Sequence, residues 1–219
     1  MVGPRSRNEN EKQARREAIL DAAEQAFLQE RFDKTPMGAI AKSAGLSRAL
    51  LYVYFKDKED IHSALCSRAS ATLFQRMSDY SATASTGLDK IKQIGRAYLD
   101  FYLKDTNHFR ILTLSSGLAS TENQSEAILT PSKQDLSEKE CNVMNLMCSC
   151  VQKGLDDGTI KINTNLDPMG MAMYLRGSLH GLIMLQDKGA SYIFEKENID
   201  RDQWLLNSLN LITQSIASD

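Results

Sequence analysis

The segment from residue 31 to residue 58 concentrates side chains whose chemistry suits a nucleic acid. It holds six basic residues against Asp33 and Asp57, a balance of +4, although the 219-residue chain has a formal net charge of −2. The six are Arg31, Lys34, Lys42, Arg48, Lys56 and Lys58. Lys and Arg neutralise phosphates, and Arg also forms paired hydrogen bonds with guanine. The pattern predicts a local phosphate-binding surface.

Residues 36–43 and 48–55 are predicted as two short helices joined by a tight turn. Thr35 is expected to cap the first helix, because its hydroxyl can accept a hydrogen bond from a free backbone amide. In the turn, Gly45 can take a left-handed conformation, and Ser47 can cap the second helix. The arrangement is typical of a helix-turn-helix, whose second helix enters the major groove of DNA.

The second of these helices is predicted to carry the side chains that meet DNA. Arg48 can read guanine, and Ala49 or Leu50 can contact a thymine methyl group. Tyr52 and Tyr54 offer hydroxyls at the ends of rigid rings.

Helical periodicity dominates the chain, and no alternating pattern indicates a strand, so the sequence predicts an all-α protein. Further helices are predicted over residues 11–29, 58–80, 87–104, 108–116, 137–155, 168–188 and 200–217. Asp57 is expected to cap the helix that follows it. A loop is predicted from Ala119 to Gln134, a stretch rich in Ser, Thr, Asn and Gln.

The stretch FDKTPMGAIAKSAGLSRALLYVYFKDKEDI resembles the signature of the TetR family of regulators, and the similarity covers roughly residues 15–65. The resemblance implies an N-terminal three-helix DNA-binding domain over residues 1–58, with the helix-turn-helix at about residues 36–55. It also implies a larger helical domain over residues 59–219 for ligand binding and dimerisation. The partner would be double-stranded operator DNA.

The resemblance also implies roles for single residues. Arg48, Ala49 and Tyr52 would face bases, which specify the sequence, whereas Tyr54 and Lys58 would hold phosphates, which position the protein. The predicted DNA-binding residues are Thr35, Ser47, Arg48, Ala49, Leu50, Tyr52, Tyr54, Lys56 and Lys58.

Three departures from the family pattern occur in this segment. Arg31 stands where the family usually has Gly, and Pro36 replaces the second Thr of the helix start. Ala49-Leu50 replaces the frequent Gly-Thr. Because Pro36 and Leu50 remove hydroxyls that could bind phosphate, nearby basic residues are expected to carry more of that contact.

The last two predicted helices are expected to form the interface of a homodimer. Gly177 and Gly181 lie four residues apart and would permit a close approach of helices. The resemblance implies a four-helix interface, which would place two recognition helices on successive major grooves of a pseudo-palindrome. The predicted interface residues are Leu175, Gly177, Leu179, Leu182, Leu205, Leu209, Ile212 and Ile216.

The resemblance further implies a cavity for a small, largely apolar effector among the C-terminal helices. The residues that could line it are Tyr98, Phe101, Tyr102, Phe109, Leu112, Met144, Met147, Met173, Tyr174, His180 and Met184. Met and aromatic side chains suit an adaptable apolar pocket. The same side chains at helical spacing are more often part of a solid core.

These features favour a ligand-responsive repressor that leaves its operator when the effector binds. The alternative is a DNA-bound adaptor or nucleoid protein of the same fold, which a solid C-terminal core would favour. An enzyme is not expected, because the chain has no Gly-rich phosphate loop, no nucleophile elbow and no HExxH motif. No cofactor and no metal site are expected, since the four Cys and three His lack ligand spacing.

Neither secretion nor a membrane location is expected. The most apolar long segment, Met169 to Leu185, is interrupted by Arg176 and His180 and is shorter than the roughly 20 apolar residues of a membrane span. The N-terminus has no apolar signal region, and four Cys do not suggest a disulfide framework. The sequence therefore predicts a cytoplasmic protein.

Overall fold

The computed structural model describes residues 4–114, 130–161 and 165–218, and its regular structure is helical. Its α-helices are α1 (Pro4–Glu30), α2 (Met37–Ser43), α3 (Arg48–Tyr54), α4 (Lys58–Ala82), α5 (Gly87–Lys104), α6 (Thr106–Leu114), α7 (Pro131–Asp156), α8 (Pro168–Met184), α9 (Ser191–Lys196) and α10 (Arg201–Gln214). No strand occurs in these ranges, and the predicted all-α class is confirmed. No helix of the described ranges is long and apolar enough to cross a membrane.

The chain divides into two compact units. The first unit contains residues 1–70 and 106–139, and the second unit contains residues 71–105 and 140–219. The boundary expected at residue 58 does not coincide with this division. The reason is that residues from the start of α4, together with α6, complete the hydrophobic core of the first unit.

The core of the first unit explains why its short helices are stable. Helices α2 and α3 have seven residues each, a length that is marginal for an isolated helix in water. Phe27 of α1, Ile40 of α2 and Leu51 of α3 are almost completely buried in one apolar cluster. Because burying one large apolar side chain stabilises a fold by about 1.5–3 kcal/mol, this packing holds both helices in place.

The turn between α2 and α3 is fixed by backbone hydrogen bonds. Gly45 has a φ of 67°, and the N–H of the next residue, Leu46, donates to the Ala41 carbonyl at 2.9 Å. This is a Schellman motif, in which a left-handed residue lets the chain satisfy the last carbonyls of a helix. Ser47 then caps α3, because its Oγ accepts from the Leu50 N–H at 3.2 Å. The conformations predicted for Gly45 and Ser47 are confirmed.

Helix α4 is capped at its start and tied to α1. The Asp57 carboxylate accepts from the Asp60 N–H at 2.7 Å, which confirms the predicted cap. Farther along α4, Arg68 pairs with Asp21 at 2.7 Å and with Glu24, both on α1. Glu24 is buried and Arg68 is mostly so, hence this network is less screened by water than an exposed ion pair.

The second unit packs α10 against both α5 and α8. The tightest approach lies between α5 and α7, where a Cβ built on Gly87 would stand 2.0 Å from the Gly154 nitrogen. Any side chain at position 87 would therefore displace backbone. Between α5 and α10, Gly95 faces the side chain of Leu209, and a Cβ there would come within 2.3 Å of a Leu209 methyl group.

Several local expectations are wrong. Helix α2 begins after Pro36, which occupies the cap position, so Thr35 does not cap it. Residues 131–134, predicted as loop, form the first turn of α7, whereas residues 119–129 lie outside the described residues. Helix α1 begins before Glu11, and the six-residue α9 was missed; neither segment has a long apolar stripe to reveal it.

Arg31 carries backbone strain that glycine would not. Its φ of 71° and ψ of 145° define a conformation that is essentially restricted to glycine, which accounts for the Gly usual at this place in the family pattern. We expect Arg31→Gly to raise the free energy of unfolding by about 1 kcal/mol, since relief of the Cβ clash exceeds the entropic cost of glycine. Urea unfolding followed by circular dichroism measures the difference.

Arg31→Ala is the matched control for this prediction. It removes the same side chain, together with an exposed ion pair to Asp33 at 3.4 Å, but keeps the Cβ. Its free energy of unfolding should stay within about 0.5 kcal/mol of the wild-type value. Equal stabilities of the Gly and Ala variants would contradict the strain assigned to Arg31.

Candidate nucleic-acid interface and apolar cavity

Helix α3 turns one continuous face to solvent. Arg48, Ala49 and Tyr52 are exposed, and so is Val53, with 74% of its surface accessible. Residues three or four apart share a helix face, and Leu51 occupies the opposite face in the core. Val53 was not among the predicted DNA-binding residues, although its spacing of four from Ala49 was a signal for it.

Arg48 and Tyr52 form a pair on this face. The Arg48 Nη2 donates to the Tyr52 hydroxyl at 3.4 Å, and the guanidinium carbon lies 5.7 Å from the centre of the tyrosine ring. The hydrogen bond to Tyr52 raises the pKa of Arg48. A guanidinium has five N–H donors, so this contact orients the group and leaves donors for the two acceptors of a guanine edge.

The other predicted residues of α3 lie at the margins of this face. Leu50 and Tyr54 are half-buried, and Tyr54 packs against the core of the first unit. Ser47 is exposed; its Oγ accepts the capping hydrogen bond and keeps its own proton for donation. Contacts of these three residues with DNA stay predictions.

Thr35 is fully buried, which corrects its prediction as a DNA contact. Its hydroxyl donates to the Arg31 carbonyl at 2.9 Å and is closed off from phosphate. Lys58 is also engaged within the protein: its ammonium donates to the carbonyls of Phe32, at 2.9 Å, and Asp33, at 3.3 Å. The ammonium also lies 4.8 Å from the centre of the Phe32 ring. Lys58 therefore anchors the 3-10 turn Phe32–Lys34 to the start of α4.

Four basic side chains of residues 31–58 remain available to an anion. They are Lys34, Lys42, Arg48 and Lys56, all exposed and without an ion pair to any described residue. Phosphate contacts usually supply the salt-dependent part of DNA affinity. These four side chains, rather than Lys58, are therefore the candidates for phosphate contact.

The second unit contains an apolar cavity with an empty volume of about 370 Å³, part of it open to solvent. Its lining residues come from five helices and are Met77, Ile91, Ile94, Gly95, Tyr98, Met147, Leu175, Arg176, Leu179, Leu209, Ile212 and Thr213. The mostly aliphatic lining suits an apolar ligand.

One side of this cavity is polar. The Tyr98 hydroxyl lies 2.7 Å from His180 Nδ1, so the two groups share a hydrogen bond. Burial raises the pKa of Tyr98 to about 12 and lowers the pKa of His180, on which the Arg176 charge acts in the same direction. Both groups are therefore uncharged at neutral pH, and Arg176 is the cation of the lining.

The structure brings few of the predicted effector residues together. Tyr98 and Met147 line the cavity, and His180 contacts it through Tyr98. Met173 and Tyr174 are exposed, with 63% and 48% of their surfaces accessible, so they are not lining residues. Four other predicted residues of the second unit lie outside the lining, namely Phe101, Tyr102, Met144 and Met184. The remaining two, Phe109 and Leu112, belong to the first unit.

Most of the predicted dimer residues are buried inside the protomer, which corrects that prediction. Leu175, Leu179, Leu205, Leu209 and Ile216 have at most 5% of their surfaces accessible. Leu182 and Ile212 are half-buried, and Gly177 is exposed. Leu175 and Leu179 of α8, which were expected at the interface, thus face the cavity instead. Helix α8 carries apolar residues on both faces, so periodicity could not select the inner one.

The His62 and Cys66 side chains contact each other in the core of the first unit. His62 Nε2 lies 3.2 Å from the Ile111 carbonyl oxygen, and burial lowers the pKa of His62. This pair ties α4 to α6. Within the described ranges, no three His, Cys, Asp or Glu side chains are grouped so as to hold a metal ion.

Comparison with known proteins finds similarity to bacterial regulators. Residues 19–65 match the family model described as bacterial regulatory proteins, tetR family. The fatty acid metabolism regulator protein of Bacillus subtilis (strain 168) is 24% identical over 143 residues, 65% of this chain and 69% of that protein. The HTH-type transcriptional regulator AcrR of Shigella flexneri is 34% identical over 76 residues. That match spans 35% of each chain, about a third of AcrR.

Solved structures extend the similarity to the whole fold. The transcriptional regulator FadR from Bacillus subtilis, in complex with stearoyl-CoA, has a TM-score of 0.67 and 20% sequence identity. The alignment covers 91% of this chain and 98% of that chain. At this identity the likeness shows a shared fold.

Lys58→Met tests the anchoring role of Lys58. We expect the free energy of unfolding to fall by about 1.5 kcal/mol, because two backbone carbonyls lose a charged donor while the aliphatic stem is kept. Urea unfolding measures this loss.

Lys56→Gln is the matched variant, since the Lys56 side chain is exposed. It should leave stability unchanged and reduce the slope of log affinity against log salt for DNA by about 1. The anchoring role would be contradicted if Lys58→Met were as stable as the wild-type protein and reduced the salt dependence of DNA affinity more than Lys56→Gln does. Lys58 would then contact phosphate instead.

Proposed function

Because this chain belongs to the TetR family of bacterial transcriptional regulators, we propose that it binds a palindromic operator as a homodimer and represses transcription until a small-molecule effector releases it. The observation that carries the proposal is the exposed face of α3, presented by a left-handed turn beside four open basic side chains. A helix held in this way fits the major groove of DNA.

The exposed face of α3 supplies both kinds of base contact. Arg48, oriented by Tyr52, is the donor for guanine, and Ala49 and Val53 are apolar groups for thymine methyls. Lys34, Lys42 and Lys56 supply charge for the phosphates on either side.

Exposed apolar side chains on α8 and α10 support dimerisation. Tyr174 on α8 and Leu206 and Leu211 on α10 are exposed, and Leu211 has 68% of its surface accessible. Gly177 and Gly181 face solvent on α8, and nothing in the protomer lies within 4 Å of a Cβ built on either. Small residues of this kind let a second helix approach closely. We assign this surface, rather than the buried leucines, to the dimer.

The cavity of the second unit supports response to an effector over the adaptor alternative, which a solid core would have favoured. Helix α4 contributes Met77 to the lining of the cavity and Lys58 to the first unit, so a single helix has residues in both. The FadR relative with stearoyl-CoA shows this fold binding an amphipathic small molecule. Effector binding would act by favouring a spacing of the recognition helices that no longer fits successive grooves.

Selection of bound sequences from a random DNA library tests the DNA-binding proposal. We expect an enriched palindrome, and a roughly 10- to 100-fold loss of affinity for it in Arg48→Ala, because one bidentate base contact is worth about 1–3 kcal/mol. Arg96→Ala is the control: it removes an equal charge from an exposed position of the second unit and should keep the preference. Absence of an enriched sequence, or equal losses in both variants, would overturn the assignment.

Gly181→Arg tests the dimer surface. The variant should be monomeric, with the dimer dissociation constant raised about 100-fold or more, because an unpaired charge would be buried at the interface. Its helical content should be unchanged, since the protomer has open space there. Sedimentation equilibrium and circular dichroism give the two readouts. The control is Asn142→Arg at an exposed position of α7, and a dimeric Gly181→Arg protein would refute the surface.

A further inference from the structure

Arg176 is the available polar group at an otherwise apolar cavity. The Thr213 hydroxyl, which also lines the cavity, donates to the Leu209 carbonyl of its own helix at 3.0 Å. The Tyr98 hydroxyl is occupied by His180. Arg176 has neither an acidic partner nor a hydrogen-bond acceptor among the described residues, and it is only half-exposed.

We propose that Arg176 is the head-group site of this cavity, and that the effector is an apolar molecule carrying one anionic group, such as a carboxylate, at its end. The inference rests on the proposed effector function and names its ligand class. Arg176 is not among the effector residues predicted from the sequence, because there it only interrupts an apolar segment.

Electrostatics favours an anion over a neutral polar head. A guanidinium at the edge of an apolar cavity loses part of its hydration, and a carboxylate restores it through two parallel charge-assisted hydrogen bonds. Arg176 and Tyr98 both line the cavity, and His180, the partner of Tyr98, lies one helical turn from Arg176 on α8. The charge of Arg176 acts on both Tyr98 and His180. Since Tyr98 and His180 are uncharged at neutral pH, the anion meets one cation and no competing anion.

The rest of the lining suits an apolar body. Ile91, Ile94 and Leu179 offer aliphatic surface, and Met77 and Met147 can adjust to the shape of a chain or ring. An apolar group with a terminal anion therefore matches the lining and its charge.

Calorimetric binding of paired ligands tests the inference without DNA. The probes are hexanoate, octanoate, decanoate and dodecanoate, each compared with the primary alcohol of the same chain length. We expect the best carboxylate to bind the wild-type protein about 10- to 100-fold more tightly than its alcohol, because a charge-assisted pair with Arg176 is lost in the alcohol.

Arg176→Gln should abolish this preference while leaving the affinity for the alcohol unchanged, so alcohol binding reports that the cavity is intact. Arg96→Gln, at an exposed position of α5, is the charge-matched control and should keep the full preference. A wild-type protein that binds alcohols as tightly as carboxylates, a preference that survives Arg176→Gln, or no binding of any carboxylate would overturn the inference.

Two further experiments identify the source of the anion and distinguish this inference from the proposed effector function. Decanoyl-CoA tests an anion supplied by a nucleotide thioester. If decanoyl-CoA binds more tightly than decanoate and this affinity requires Arg176, the anion at the site is a phosphate. DNA release is measured separately, by fluorescence anisotropy of the selected palindrome. Arg176-dependent binding without release would overturn the effector function and keep the site. Release by alcohols as effectively as by carboxylates would keep the function and overturn the anionic head group.

Discussion

The left-handed turn at Gly45 is the constraint on which the exposed face of α3 depends. It ends α2 and allows α3 to begin within three residues, so the angle between the two helices is set by backbone hydrogen bonds. Because Leu51 is buried in the core, Arg48 and Tyr52 lie on the exposed face of α3. The same turn therefore controls the direction of the α3 side chains that we propose to read bases.

Features that rest on local chemistry could be predicted from the sequence. Gly45, Ser47 and Asp57 act on residues at most four positions away, so residue type and spacing were enough to assign their conformations. The role of Lys58 could not be found in this way. Its acceptors, the carbonyls of Phe32 and Asp33, lie 26 and 25 residues earlier in the chain and meet it through tertiary packing.

The candidate sites of the second unit were predicted less well because their helices are apolar on more than one side. On α8, Leu175 and Leu179 were expected at an interface but line the cavity, whereas Met173 and Tyr174 were expected in the cavity but are exposed. Choosing the inner face requires knowing where α5 and α10 pack, which no single-helix pattern contains. Arg176 gains its significance from the same arrangement, because it lies between the buried and exposed faces of α8.

The glycine contact between α5 and α7 has a consequence for motion in the second unit. Gly87 and Gly154 bring two backbones together with no side chain that could rearrange, so this end of the two helices is a fixed point. Any opening of the cavity must then occur farther along α5, toward Tyr98, where side chains separate the helices. In amide hydrogen exchange, the helical backbone around Cys150 and Gly154 is expected to exchange only when the unit unfolds as a whole. Amides beside the open side of the cavity are expected to exchange through smaller, local openings.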